Sequence, residues 1–527
     1  MQIDIQLKQL ICGLTALSCF GLGQAAQASE AESVERLRTT TLNLIQMLVD
    51  EGVLSKEKAK AFIQQAEARK PTAAGAGETS ENTAAKDEPK EVRIQYVPES
   101  VQKKMREDLR QEIMVQAKTE GWAAPGMPGW LNRIGLDGDL RLRYEQDMFP
   151  AGNETPQNLA VQGIDNVNNT TEDRKRMRLR ARLGIHLKIS DNISGGLRLS
   201  TGSANNPVSS NQTLGADYTT SGKFVFGVDR AYIKYAITPW LSFSGGRMGN
   251  PWMNTDLVWA NDFAFDGVVA ALQPRINDNL TGFVTLGAFP LHEIETNGVT
   301  VQAKSKWLYG AQAGMEWVTA NESAYKMGLA YYDFTNIQGV LNGNGFTSQN
   351  LTARQFHQKG NTVFDITNPQ VSPLTDIYGL ASKFREVDVT GLADIANFNP
   401  VHVVLTGDYV KNVGFNLSEV QDKNPTSPIG GNTGWMAKLL VGMPETVHRS
   451  DWNVYAAYKR VETNAVLDAF TDSDFHLGGT NAKGWIVGGN YGLDHNSWLS
   501  LRWLSADQIV GSPMAMDVLL LDLNSKF

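Results

Sequence analysis

The sequence predicts an all-β transmembrane barrel of about 16 antiparallel strands, preceded by a small helical periplasmic segment. Three observations carry this reading: one strand with two incompatible faces, short turns that alternate with long polar loops, and tryptophans at strand ends. The strand is Arg174 to Ile189. From Arg176 on, the even positions are Arg176, Arg178, Arg180, Arg182, Gly184, His186 and Lys188, and the odd ones are Met177, Leu179, Ala181, Leu183, Ile185, Leu187 and Ile189. A period of two is that of a β-strand. Such a ribbon also suits a soluble sheet, with the apolar face on a core and the basic face in water. In a barrel the apolar face meets lipid and the basic face a wet lumen. An Arg or Lys on lipid near the midplane costs roughly 2–4 kcal/mol, so the basic face must look inward there.

The chain has 527 residues with 48 Lys plus Arg and 56 Asp plus Glu, a net charge of −8. An acidic chain argues against nucleic acid as the main partner. After residue 30 no run reaches the eighteen or so apolar residues of a membrane helix. Residues 1–28 read as a signal peptide: Lys8, an apolar run from Leu10 to Leu22, and Ala26-Gln27-Ala28 as the cleavage site. Both cysteines, Cys12 and Cys19, fall inside it. Ala16-Leu17-Ser18-Cys19 fits a lipidation signal poorly. A mature chain without Cys excludes disulfides and thiol chemistry.

Residues 29–70 read as a helical hairpin or a coiled-coil segment, because Val34, Leu37, Thr41, Leu44 and Leu48 recur at helical spacing. Residues 71–92 lack large apolar side chains, as a disordered linker does. Residues 93–133 hold a charged helix with a narrow stripe (Val101, Met105, Leu109, Ile113) and a connector with Pro125, Pro128 and Gly129. The barrel takes 134–527. Strands are expected near 136–145, 174–189, 193–200, 223–237, 241–248, 262–275, 280–289, 306–319, 325–334, 380–396, 401–410, 434–442, 451–460, 483–493, 497–505 and 517–527. Alternation is poor in Leu241 to Met248 and in Phe265 to Leu272, which leaves register open there.

Short turns fall near Asn192, Pro239, Asn277, Asn321, Pro400, Glu445 and His495, and long loops on the other side. Bacterial barrels have short periplasmic turns and long outer loops. This topology puts Trp240, Trp317, Trp452 and Trp498 at periplasmic strand ends and Trp307, Trp435, Trp485 and Trp503 at outer ends. Indole prefers both membrane interfaces, so two girdles are expected. Leu519, Leu521 and Leu523 share the parity of the terminal Phe527, which resembles an outer-membrane assembly signal; Ser525 departs from it.

Four stretches resemble the bacterial putative porin family. They are Val97-Pro98-Glu99, Glu120-Gly121-Trp122-Ala123-Ala124-Pro125, Gly138-Asp139-Leu140-Arg141-Leu142-Arg143-Tyr144-Glu145, and Gly246-Arg247-Met248-Gly249-Asn250-Pro251-Trp252 with Thr255-Asp256-Leu257-Val258-Trp259 and Phe265-Asp266-Gly267. None is specific alone. The resemblance implies an outer-membrane channel with a periplasmic N-terminal segment, and supplies no substrate.

The sequence shows no phosphate loop, paired-His metal motif or nucleophile elbow, so neither an enzyme nor a cofactor is expected. A passive porin is the first expectation, with small solutes or ions, outer-membrane lipid and the assembly machinery as partners; a barrel of this size is compatible with a homotrimer. Parity lines the pore with Arg141, Arg143, Arg176, Arg178, Arg180, Arg182, Arg198, Arg230 and Lys234 on one wall. Glu386, Asp388, Asp394 and Asp408 lie about half a barrel away. These charges either bias permeation or neutralise each other. The loop from Pro251 to Trp259, or the longest loop, is expected to fold inward. The alternatives are a barrel that binds an external partner through its long loops, and a barrel enzyme.

Overall fold

The computed structural model describes residues 133–527 except 162–163, 165, 217–221, 344–346, 368–376 and 426–428. The signal peptide, the helical or coiled-coil segment, the linker and most of the charged helix and connector therefore lie outside the described residues.

Seventeen strands make one antiparallel sheet: β1 (Ile134–Met148), β2 (Arg174–Lys188), β3 (Ile193–Ser200), the two-residue β4 (Gln212–Thr213), β5 (Gly227–Thr238), β6 (Leu241–Gly249), β7 (Ala264–Leu272), β8 (Leu280–His292), β9 (Lys306–Val318), β10 (Ala324–Thr335), and then, past two short strands, β13 (Phe384–Phe398), β14 (Val401–Asn412), β15 (Thr433–Gly442), β16 (Trp452–Val461), β17 (Ala482–Asp494), β18 (Ser497–Gln508) and β19 (Ala515–Lys526). The short β11 (Val363–Asp365) and β12 (Tyr378–Leu380) pair with each other inside the longest loop. Strand β1 pairs with both β2 and β19, which closes the sheet into a 16-strand barrel with β4 as a short graft on β2. Closure leaves no unpaired edge, as a backbone in lipid requires.

The strand segments follow the expected order; β4 is additional, β1, β8 and β18 run on for about three residues, and three strands are shorter than expected. The expected 380–396 strand begins at Phe384, and Tyr378–Leu380 belongs to the small loop sheet. The strand expected at 262–275 is only Ala264–Leu272. The strand expected from 223 begins at Gly227. The poor alternation in β6 and β7 has a backbone cause: Gly246 and Gly267 are cross-strand partners with φ of 118° and 151°. Side chains rarely tolerate that conformation, and glycine does.

Alternation sorts the residues by solvent. Leu140, Leu142, Leu183, Ile233, Leu329, Leu405, Leu439, Val487, Leu521 and Leu523 are exposed on the outer wall. Glu145, Gln312, Asn412, Asn453, Lys459 and Asp522 are buried within. The largest buried apolar cluster also lies inside the barrel, where Trp252, Leu257, Trp259 and Phe263 of the 250–263 loop meet Phe265, Leu308, Tyr332, Phe384 and Phe475. Two inserted loops, 250–263 and 462–481, thus supply the core that a wide barrel lacks.

Candidate functional site in the lumen

The basic ribbon faces inward in β2, and its register on β1 sets a problem. Arg180 stands opposite Arg141, and Arg178 opposite Arg143. Like charges directly across a ladder repel. Carboxylates from four places answer this. Arg143 is 0% exposed; it donates Nε to Asp522 Oδ1 (2.7 Å) and Nη2 to Asp522 Oδ2 (2.9 Å), and Nη1 lies 2.9 Å from Asp474 Oδ2. Arg176 pairs with Glu145 and lies 3.6 Å from Asp147, and Arg178 reaches Glu145 at 3.1 Å. Asp139 takes Arg180 at 2.8 Å and Arg182 at 2.6 Å. Asp262, from the 250–263 loop, lies 3.6 Å from Arg180 and 3.1 Å from Arg182. Burial alone would raise the Asp262 carboxyl; the two guanidiniums and the Ser210 hydroxyl outweigh it and hold it at about 2. Asp474, in the 462–481 loop, also takes Arg502 at 2.8 Å, and Arg143 and Arg502 hold it far below the usual carboxylate range against the opposing effect of burial.

Arg198 pairs with Asp229. Arg141 donates to the Asn211 amide oxygen instead of a carboxylate. Arg230 sits opposite Arg198 across the ladder, and Lys234 is exposed; among the described residues neither has a carboxylate partner within 4 Å. The expected electropositive wall is therefore a compensated lattice, in which six of the nine predicted cations hold carboxylates.

Across the barrel, Glu386, Asp388 and Asp408 are each 4% exposed or less. Glu386 accepts from the Leu467 backbone N–H at 3.1 Å, and Asp408 accepts from the Thr255 hydroxyl. The inserted loops cover them, so they do not face open lumen. Asp394 lies at the turn end, 2.6 Å from His402 Nδ1.

The 250–263 loop turns inward from the rim after β6. Trp259, 0% exposed, packs on Phe263, Phe265, Tyr332, Phe334 and Phe470 with centroids 4.9–6.2 Å apart. The Ala260 N–H donates to Phe470 O, joining the two inserted loops. Part of the longest loop also turns in. Gln358 donates to Asp468 O and Thr471 O, Asn361 to Thr463 O and Val466 O, and Lys359 Nζ to His476 O and Gly478 O. Side-chain donors here take over backbone carbonyls that would otherwise be buried without partners.

Burial pushes the Lys359 ammonium down to about 7, against the nearby Asp468 carboxyl. His476, lowered to about 3 by burial and by Lys359, stays neutral in the same range. Below about 7 both the sealed loop and a released loop hold the Lys359 proton. Between there and the free value near 10.4 only the released loop does. The seal is therefore expected to tighten as pH rises from about 7 to 10. Hydrogen exchange at residues 358–362 checks this, and Lys359→Met should flatten the slope; an equal slope in the variant would refute the assignment.

Between this seal and the basic ribbon lies a polar cleft of about 440 Å³, walled by Asp147, Arg176, Arg178, Asn168 and His357. On the outer wall Trp240, Trp317, Trp435, Trp452, Trp485 and Trp503 are exposed, and Trp307 and Trp498 half-buried. Trp240 and Trp452 adjoin short turns, and Trp307 and Trp435 adjoin long loops. Phe527 is exposed, and its backbone bonds Gly138 of β1 in both directions at 3.1 Å.

Residues 38–527 match the model of a family described as putative porin. The chain belongs to that family. It is accordingly an outer-membrane β-barrel channel of a bacterial cell. Solved structures of outer-membrane proteins are similar to the chain at low identity. The outer membrane channel DcaP of Acinetobacter baumannii is 10% identical over 75% of this chain and 97% of its own, at a TM-score of 0.40. OprB of Pseudomonas putida is 12% identical over 75% and 94%, at 0.43. A loop-deletion mutant of OmpT, an outer membrane protein of Vibrio cholerae, is 11% identical over 75% and 100%, at 0.39. No curated protein sequence matches the chain. Among the described residues no group of three or more His, Cys, Asp or Glu is placed to hold a metal, and no helix is long and apolar enough to cross a membrane.

Proposed function

We propose that the porin passes small hydrophilic solutes or ions by passive diffusion through a lumen narrowed by its own inserted loops. The closed sheet, with apolar side chains outside and paired charges inside, is the observation that carries this. Arg141, Arg143, Arg176, Arg178, Arg180, Arg182, Arg198, Arg230 and Lys234 would line one wall; on the other, Glu386, Asp388 and Asp408 lie beneath the inserted loops and Asp394 at the turn end, so their charge would reach the lumen only through that cover. With most guanidiniums compensated, anion preference should be modest and rest on Arg141, Arg230 and Lys234. Planar-bilayer recording is the direct test: a reconstituted barrel without an open, conducting state ends this reading. Glu145→Gln strips the carboxylate from Arg178 and leaves Arg176 with Asp147 at 3.6 Å. The reversal potential in a salt gradient should then move toward anion selectivity, and an unmoved potential would show that these guanidiniums do not face the permeating ions.

The family and fold support a channel without catalytic chemistry. The long-loop face would look outward and the short turns toward the periplasm, with 1–28 removed as a signal and 29–133 left on the periplasmic side as a hairpin or coiled coil, linker, charged helix and connector. The eight outer-wall tryptophans would form the two interface girdles, and Phe527 the signal read by the assembly machinery. A homotrimer fits the almost wholly apolar depression of about 960 Å³ on the outer wall, floored by Gly391, Gly407 and Ala437.

A further inference from the structure

An aqueous diffusion path has no use for an aromatic chamber, yet one opens at the loop end of the barrel. It is a cleft of about 210 Å³ between β7, β8 and β9 and the inserted loops. Phe265, Phe289 and Phe470 wall it, with Phe356 beside them. Phe265 and Phe289 meet at a centroid distance of 5.0 Å, and Phe263 bridges Phe265 to Phe470. A cavity of roughly 150 Å³ with apolar walls accepts a benzene ring, so this one has room for a ring and a small polar group.

The charge on the walls is lopsided. Lys306 is 3% exposed and lines the cleft. Its ammonium donates to Ala353 O at 2.7 Å and Thr352 O at 3.4 Å, and among the described residues no carboxylate comes within 4 Å of it. A lysine has three donors, so one remains for a ligand. Arg354 adds a second cation to the wall. Of the two carboxylates present, Asp266 is tied to Arg247 at 2.8 Å. Asp468 interacts electrostatically with Arg354, and burial raises its pKa, which lessens its repulsion of an anion. His292 bonds Gln355, a neutral partner.

We propose that this cleft binds a small aromatic monocarboxylate, with the ring among Phe265, Phe289 and Phe470 and the carboxylate toward Lys306 and Arg354. An ammonium buried without a countercharge is costly, and an anion that brings one relieves that cost. The ring displaces poorly bonded water from an apolar wall. A compact aliphatic acid satisfies only the charge, and an aromatic amine only the wall. The biological meaning of the site, a solute retained at the mouth of the pore, rests on the channel reading; the binding itself does not.

Calorimetric titration of the detergent-solubilised full chain tests it with benzoate, acetate, benzylamine and benzyl alcohol. Benzoate is expected to bind saturably with one site and more tightly than the other three. Lys306→Met should weaken benzoate by roughly tenfold or more, the scale of a charge-assisted hydrogen bond, and leave benzyl alcohol unchanged. Arg354→Gln, on a less buried side chain, should act in the same direction. Acetate or benzylamine binding as tightly as benzoate overturns the proposal. So does a Lys306→Met loss shared equally by benzyl alcohol, which would mark Lys306 as a support of the loops alone. Conductance measured on the same preparation separates the two readings: a conducting barrel blind to benzoate overturns this inference only, and a benzoate-binding barrel that never conducts overturns the channel reading only.

Discussion

Arg143→Met is expected to destabilise the barrel by about 3–5 kcal/mol, the cost of stranding a buried charge by removing its partner. Arg143 stands directly opposite Asp522 across the seam where β1 meets β19, and it also holds Asp474 of the 462–481 loop. Without it, the ion pairs within 4 Å that remain among the described residues are Asp522 with Arg502 at 3.9 Å and Asp474 with Arg502 at 2.8 Å. One residue thus ties the closing strands to the loop that fills the lumen. Two readouts should move together: the heat-induced transition of the folded barrel should fall, and protease should cut residues 462–481 more readily. Adding Asp522→Leu should recover part of the loss, because the carboxylate left without its partner is then gone. A single variant that melts like wild type would mean that water solvates Asp522 and Asp474 as well as Arg143 does.

The fold was legible because two solvents impose opposite demands on alternate residues. Along Arg176 to Lys188 that demand is written in every second position, and β2 has the faces it dictates. The last strand is as plain: Leu521, Leu523 and Phe527 are exposed while Asp522 and Asn524 are buried. Legibility failed where the backbone itself departs from the pleat. Gly246 and Gly267 break the period of two, and nothing in a count of apolar residues reveals a positive φ.

The lumen was legible by half. Parity alone assigns Arg143 and Asp522 to one side of the sheet, and the adjacency of first and last strands in a closed barrel would have brought them together. The partners that come from loops could not be read this way. Asp262 and Asp474 belong to segments with no period, and their arrival beside Arg182 and Arg143 depends on how whole loops fold inward. The seal of Gln358, Lys359 and Asn361 on residues 463–478 joins parts of the chain more than 100 residues apart, through carbonyls that carry no sequence signature. The acidic residues Glu386, Asp388 and Asp408 show the same limit from the other side. Parity placed them inward, but the cover that removes them from open lumen is the 250–263 and 462–481 loops.

Trp259→Ala tests whether those loops set the bore. The tryptophans of this protein live in different solvents, and their deletion should cost different amounts. Trp485 is 53% exposed on the outer wall, where its removal exchanges indole for lipid. Trp259 is 0% exposed and packs against Tyr332 of the wall and Phe470 of the second loop. If its loop lets go, that aromatic surface enters lumen water, so its packing is backed by the hydrophobic effect as no lipid-facing contact is. Large-to-small changes at buried aromatics cost about 3–5 kcal/mol. The loop keeps polar tethers, among them Asp262 with Arg182 and Ser210, Thr255 with Asp408, Met253 with Gln312 and Asp256 with Lys459. It should therefore loosen around the vacated indole site rather than leave the wall, while the strand ladders stay intact. Single-channel conductance is expected to rise and to become noisy, with the strand signal in circular dichroism preserved, whereas Trp485→Ala should leave conductance unchanged. Equal conductance in wild type and Trp259→Ala would mean that another segment sets the bore, with the sealed residues 358–362 next in line.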